Sequence, residues 1–121
     1  MRIIFLLFIL FSFNLRAEEV CETFSGITTK EELCFNNKIK GWLSKSCSQK
    51  KCDALKFFDK KPKKKVKIPT PEGGQNPAAL YCHVLKFPVV ILRDATDNEQ
   101  SLCQFEDGSL VDVNAVEGFL E

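Results

Sequence analysis

The chain has 121 residues, 45% hydrophobic and 27% charged, with a formal net charge of +1 and six cysteines. That length excludes more than one small domain, or one module with an attached subdomain. The near-zero charge is unevenly spread: four lysines against five acids from Glu18 to Gln49, nine lysines against two from Lys50 to Lys67, and Lys86 and Arg93 against nine from Ile68 to Glu121.

Met1 and Arg2 make a short positive start, and Ile3 to Phe13 form an apolar run interrupted only by Ser12. The run is too short to span a bilayer and remain there, which is the pattern of a secretory signal peptide. Cleavage is expected after Ala17, so that residues 1–17 are removed. Cys21 follows Glu18-Glu19-Val20 rather than a small-residue motif, which argues against a lipid anchor. The expected location is periplasmic or extracellular, with no transmembrane segment left after cleavage.

Cys21, Cys34, Cys47, Cys52, Cys82 and Cys103 all lie beyond the cut. In an oxidising compartment the expectation is three disulfides, which suit a chain too short to bury a large core. The intervals of 12, 12, 4, 29 and 20 residues contain no Cys-x-x-Cys pair. The single histidine, His83, adjoins Cys82 and is badly placed to share a tetrahedral metal with it. Neither a metal nor a cofactor is expected, and no Asn-x-Ser/Thr sequon occurs.

Residues 18–59 read as a four-cysteine N-terminal subdomain. Thr28 and Thr29 each have a glutamate three residues on, Glu31 and Glu32, a capping-box pattern that predicts a short helical turn carrying Leu33 and Cys34. One strand through Trp42 follows; the rival reading is a hairpin turning at Asn36-Asn37. Trp42, the only tryptophan, is expected as a core plug against a disulfide. Ser48 can cap a helix in which Cys52, Leu55 and Phe58 recur at helical spacing.

Residues 60–74 read as an exposed, largely extended linker, since three prolines deny a helix, the lysines repel one another and a glycine pair closes it. Residues 75–121 form a helix-plus-hairpin module. Asn76 is an N-cap with Pro77 at the first helical position, and the helix over Ala78 to Leu85 stops before Pro88. Val89 to Leu92 is a β-branched apolar strand, Thr96-Asp97-Asn98 a turn, and Ser101 to Phe105 the returning strand. Asp107-Gly108 turns into Leu110 to Val113. The fold expected is α+β: a small disulfide-stapled domain with short helices packed on a three-stranded antiparallel β-meander. A Cys82–Cys103 bond would pin helix to middle strand. Among the other four, Cys21 with Cys34 and Cys47 with Cys52 close most locally, and the crossed pairings stay open.

The last third of the chain resembles the small bacterial secreted domains called domain-of-unknown-function 333, often labelled putative haemolysins. The likeness is carried by Asn76-Pro77-Ala78-Ala79-Leu80-Tyr81-Cys82, by Arg93-Asp94-Ala95 and by Cys103-Gln104-Phe105-Glu106-Asp107-Gly108-Ser109. The family usually has a glycine pair where this chain has Lys86-Phe87, and a proline at Glu106. It also tends to have two further cysteines, one of them at the position of Val111; the absence of both supports pairing Cys82 with Cys103. The haemolysin label implies membrane disruption, which the residues themselves do not support.

Function is less legible. His83 has no identifiable nucleophile partner, and Asp107-Gly108-Ser109 is turn chemistry, so no catalytic residue and no enzyme is expected. Lys60, Lys61, Lys63, Lys64, Lys65 and Lys67 are candidate anion-binding residues, for a membrane surface or an acidic polysaccharide. The expectation is an envelope-associated binding or contact module whose partner is an anionic envelope surface or another envelope protein. The alternatives are a polybasic, haemolysin-like binder, a small inhibitor or an enzyme. Loops at Thr96 to Glu99 and Glu106 to Ser109 are natural contact points. Nucleic acid is not an expected partner of an exported chain.

Overall fold

A computed structural model describes residues 19–49, 51–60, 68, 70, 73 and 76–120. The expected signal peptide and most of the expected linker, Lys61 to Lys67 included, lie outside them. In chain order come β1 (Cys21–Ser25), β2 (Lys30–Asn36), β3 (Gly41–Ser44), a 3-10 turn (Lys45–Ser48), α1 (Asp53–Asp59) and α2 (Pro77–Val84). Then follow β4 (Val89–Arg93), β5 (Glu99–Gln104), β6 (Leu110–Asp112) and α3 (Val113–Leu120).

The strands close into one antiparallel barrel in the order β1-β2-β3-β6-β5-β4. Two successive meanders are joined where Leu43 of β3 faces Val111 of β6 and where Ser25 of β1 faces Arg93 of β4. This corrects the expected open three-stranded meander. β4, β5 and β6 are half of a six-stranded barrel, and the other half comes from the cysteine-rich residues before the lysine run.

The cause lies in strand alternation, which sends successive side chains to opposite faces. One buried cluster holds a residue from every strand: Phe24, Leu33, Leu92, Leu102 and Leu110, with the half-buried Trp42 packed against them. This is the barrel interior. A second cluster takes Leu43, Cys103 and Val111 from the outer faces of β3, β5 and β6. It packs them against Ala54 of α1, Ala78 and Cys82 of α2, and Val113, Ala115, Val116 and Leu120 of α3. Leu33-Cys34 and Leu102-Cys103 occupy matching places in the two middle strands, with each cysteine on the face opposite its leucine.

The disulfides are Cys21–Cys34, Cys47–Cys52 and Cys82–Cys103. The first links directly facing residues of β1 and β2, and the third ties α2 to β5. The helical turn expected at Thr28 to Cys34 is instead the β1–β2 loop and β2. The capping-box signal is local, whereas a strand puts Leu33 in the barrel and brings Cys34 opposite Cys21. Ser48 belongs to the 3-10 turn, and Cys52 caps α1. Trp42 packs edge-on against Phe24 and Phe35, with ring centroids 5.1 and 5.6 Å away.

Asn76 caps α2, its Oδ1 accepting from the Ala78 amide at 3.0 Å. The helix ends in a Schellman motif: the Phe87 amide donates to the Cys82 carbonyl and the Lys86 amide to that of His83. Lys86 consequently sits at φ 64°, a left-handed conformation suited to glycine. Lys86→Gly is expected to raise stability by about 0.5–1 kcal/mol, read from the urea midpoint at unchanged slope.

Candidate binding site

One end of the barrel carries an apolar groove between the β2–β3 hairpin, α1 and α3. In the hairpin, Asn36 Oδ1 accepts from the amides of Lys38 (2.9 Å) and Ile39 (3.2 Å), and Lys40 takes a left-handed conformation at φ 54°. Gly41 then lies hard against α3. A Cβ there would be 2.9 Å from that of Ala115 and 3.1 Å from that of Asp112, so only glycine allows this approach. α3 starts immediately after β6, and Asp112 Oδ1 accepts from the Asn114 amide at 3.0 Å in the manner of an N-cap.

α1 is held by the rest of the chain. Asp107 Oδ2, in the β5–β6 turn, accepts from the Asp53 amide at 2.8 Å, and Ser109 Oγ accepts from the Ala54 amide at 3.2 Å. Cys52 Sγ accepts from the Leu55 amide. Desolvation works to raise the Asp107 carboxyl, but its bonds to Ser109 and the Asp53 amide outweigh that and hold it below the ordinary carboxylate range. The loop Glu106 to Ser109 presents Glu106, Asp107 and Gly108 to solvent, while Ser109 is buried and Asp107 also accepts from α1.

So anchored, α1 presents Phe57 and Phe58 to α3. Phe57 lies 5.2 Å from Phe119 and 5.7 Å from Phe105 between ring centroids, and Phe58 lies 5.2 Å from Phe119. Ile39, Phe58, Ala115 and Phe119 line a cavity of about 460 Å³, and Lys38, Lys40 and Asn114 are its polar lining. Lys38 makes a loose, exposed pair with Asp59 at 3.9 Å, and Lys40 has no ion pair among the described residues. Such an exposed pair is worth little.

An acidic patch lies across the barrel from the β2–β3 hairpin, beside the β1–β4 seam. The β1–β2 and β4–β5 loops meet there, bringing Ser25, Gly26 and Ile27 to Arg93, Asp94, Asp97 and Glu99. Arg93 is neutralised by Glu99 at 2.8 Å and Asp97 at 3.5 Å. The Asn98 amide, then the Thr96 hydroxyl, hold the Asp94 carboxyl below its ordinary range. β2, of seven residues, separates the β1–β2 loop from the β2–β3 hairpin by roughly 20 Å.

Of the candidate anion-binding lysines, Lys60 is exposed directly after α1, while Lys61, Lys63, Lys64, Lys65 and Lys67 lie outside the described residues. His83 is exposed on α2. Every cysteine is disulfide-bonded. Glu19, Cys21 and Cys34 come close enough to suggest a metal site, but both sulfurs belong to one disulfide. The expected elements end with a strand over Leu110 to Val113, whereas α3 starts at Val113 and forms one wall of the groove. The signal for that helix is present in Val113, Val116 and Leu120, spaced by three and four behind Asp112.

No family model, curated protein or solved structure matches this chain.

Proposed function

We propose that the chain is an exported, disulfide-stapled contact module, working by binding rather than catalysis, which meets an anionic envelope surface with its lysine-bearing end. The observation that carries this reading is the polarity of the barrel. Lys38 and Lys40 stand at the end reached by α1, where Lys60 opens the lysine run, and Asp94, Asp97 and Glu99 gather across the barrel from them, beside the β1–β4 seam. A chain with such a charge distribution is oriented as it approaches a negatively charged surface. Disruption of the membrane is not part of the proposal, since among the described residues no helix is long and apolar enough to cross one. The C-terminal likeness to domain-of-unknown-function 333 belongs to the same reading, and the left-handed Lys86 at the family's glycine position supports it.

Vesicles containing phosphatidylglycerol, titrated with the mature protein at two salt concentrations, test the idea. Wild type is expected to bind and to weaken as salt rises. Lys63→Ala/Lys64→Ala/Lys65→Ala is expected to bind on the order of a hundredfold more weakly, at about 1 kcal/mol per lysine. Equal binding by wild type and triple variant would overturn the reading.

A further inference from the structure

The groove at the basic end has a feature that surface contact does not require. Gly118 is the sixth residue of α3, within the helix, and its φ is not positive, so it is neither a left-handed cap nor a turn. Glycine is the least favoured residue apart from proline in such a place. The fold offers no steric reason for it, because a Cβ at Gly118 would meet nothing within 4 Å. Gly41, across the same groove, is the opposite case, enforced by Ala115 at 2.9 Å. What the bare Cα of Gly118 does is leave open the wall of a cavity of about 460 Å³ that Ile39, Phe58 and Phe119 line with apolar surface. That volume lies within the range of roughly 300–1,000 Å³ typical of small-ligand sites.

The chemistry of the occupant follows from what borders the apolar part. Lys38 and Lys40 of the hairpin and Asn114 of α3 are its polar lining. Lys38 spends its charge on a loose pair of 3.9 Å with an exposed carboxylate, and Lys40 on no acid among the described residues. An apolar groove bordered by two cations is complementary to a molecule with one hydrocarbon tail and one anionic head. We propose that this groove binds a single-chain anionic amphiphile of the fatty-acid type, with the tail along Gly118 and Phe119 and the carboxylate toward Lys38 and Lys40. The proposal deepens the contact-module reading and rests on it for the anionic chemistry of that end.

Sodium dodecanoate below its micellar concentration is the probe, titrated calorimetrically into the full mature protein. Wild type is expected to bind dodecanoate, and decanoate roughly fifteenfold more weakly, each buried methylene contributing about fourfold. Gly118→Leu, whose side chain would occupy the channel, is expected to melt no lower than wild type and to bind at least tenfold more weakly. Lys38→Gln/Lys40→Gln is expected to lose severalfold for dodecanoate and to lose its preference over dodecyltrimethylammonium. The proposal is overturned if folded Gly118→Leu binds dodecanoate as wild type does, or if the cationic amphiphile binds wild type as tightly. Should Gly118→Leu not fold, the lysine double variant and the two chain lengths decide alone. Vesicle binding separates the two ideas: Gly118→Leu is expected to keep it, and the Lys63/Lys64/Lys65 variant to keep dodecanoate. Loss of vesicle binding with dodecanoate retained removes the surface reading only, and the reverse removes the groove.

Discussion

Replacing Cys82 and Cys103 together by alanine is expected to lower the unfolding free energy by about 3 kcal/mol, measured by urea denaturation under non-reducing conditions. The two residues are 21 apart and both wholly buried. On the loop-entropy estimate a ring of this size gives roughly that stabilisation, and a ring of five residues, as in Cys47–Cys52, about 2 kcal/mol. The position adds a second consequence. Cys82 lies on α2 and Cys103 on the outer face of β5, in the cluster that also holds Val116 and Leu120 of α3. Loosening α2 therefore loosens the helical layer against the barrel, and a small domain has little stability in reserve. A loss below 1 kcal/mol would show that the apolar packing alone holds α2 in place.

How far the architecture can be read from the chain depends on where each instruction is stored. The cap of α2 at Asn76-Pro77, the apolar strand Val89 to Leu92 and the turn at Asp107-Gly108 are local signals, and each corresponds to a feature of the fold. The closure of the barrel is not local. It depends on Leu43 meeting Val111 and Ser25 meeting Arg93, across 68 residues in each case, and no turn or propensity reports those pairings. β1 is especially quiet, because only Phe24 among its five residues is buried. β2 is misleading, since Thr28, Thr29 and the two glutamates that follow favour a helix start that the tertiary structure overrides. The groove depends on the same unseen contacts. Ile39, Phe58 and Phe119 are separated in sequence and converge only because Gly41 admits α3 and Asp107 fixes α1. The lysine run is visible as composition, whereas the acidic patch exists only because the Ser25–Arg93 seam brings the β1–β2 and β4–β5 loops together.

Phe24→Ala gives the most direct test of that closure. Phe24 is 0% exposed, on a strand otherwise largely open to solvent, and its buried neighbours Leu33, Leu92, Leu102 and Leu110 come from both meanders. Truncating a buried phenylalanine costs roughly 3–5 kcal/mol through lost transfer energy and the cavity left behind. In a chain built from an N-terminal subdomain tethered to an independent module, that loss would be confined to residues before the lysine run. In a closed barrel it must appear throughout. Amide exchange in β4 and β5 is therefore expected to accelerate together with that in β1 and β2, and Trp42, 5.1 Å from the Phe24 ring, is expected to report the same urea midpoint. A cycle with Leu102→Ala sharpens the result. The two residues share one buried cluster though they sit on different meanders, so their effects should depart from additivity by about 0.5 kcal/mol or more. Additive losses, with β4 and β5 protected as in wild type, would mean that the two meanders fold separately and that the Ser25–Arg93 and Leu43–Val111 seams contribute little.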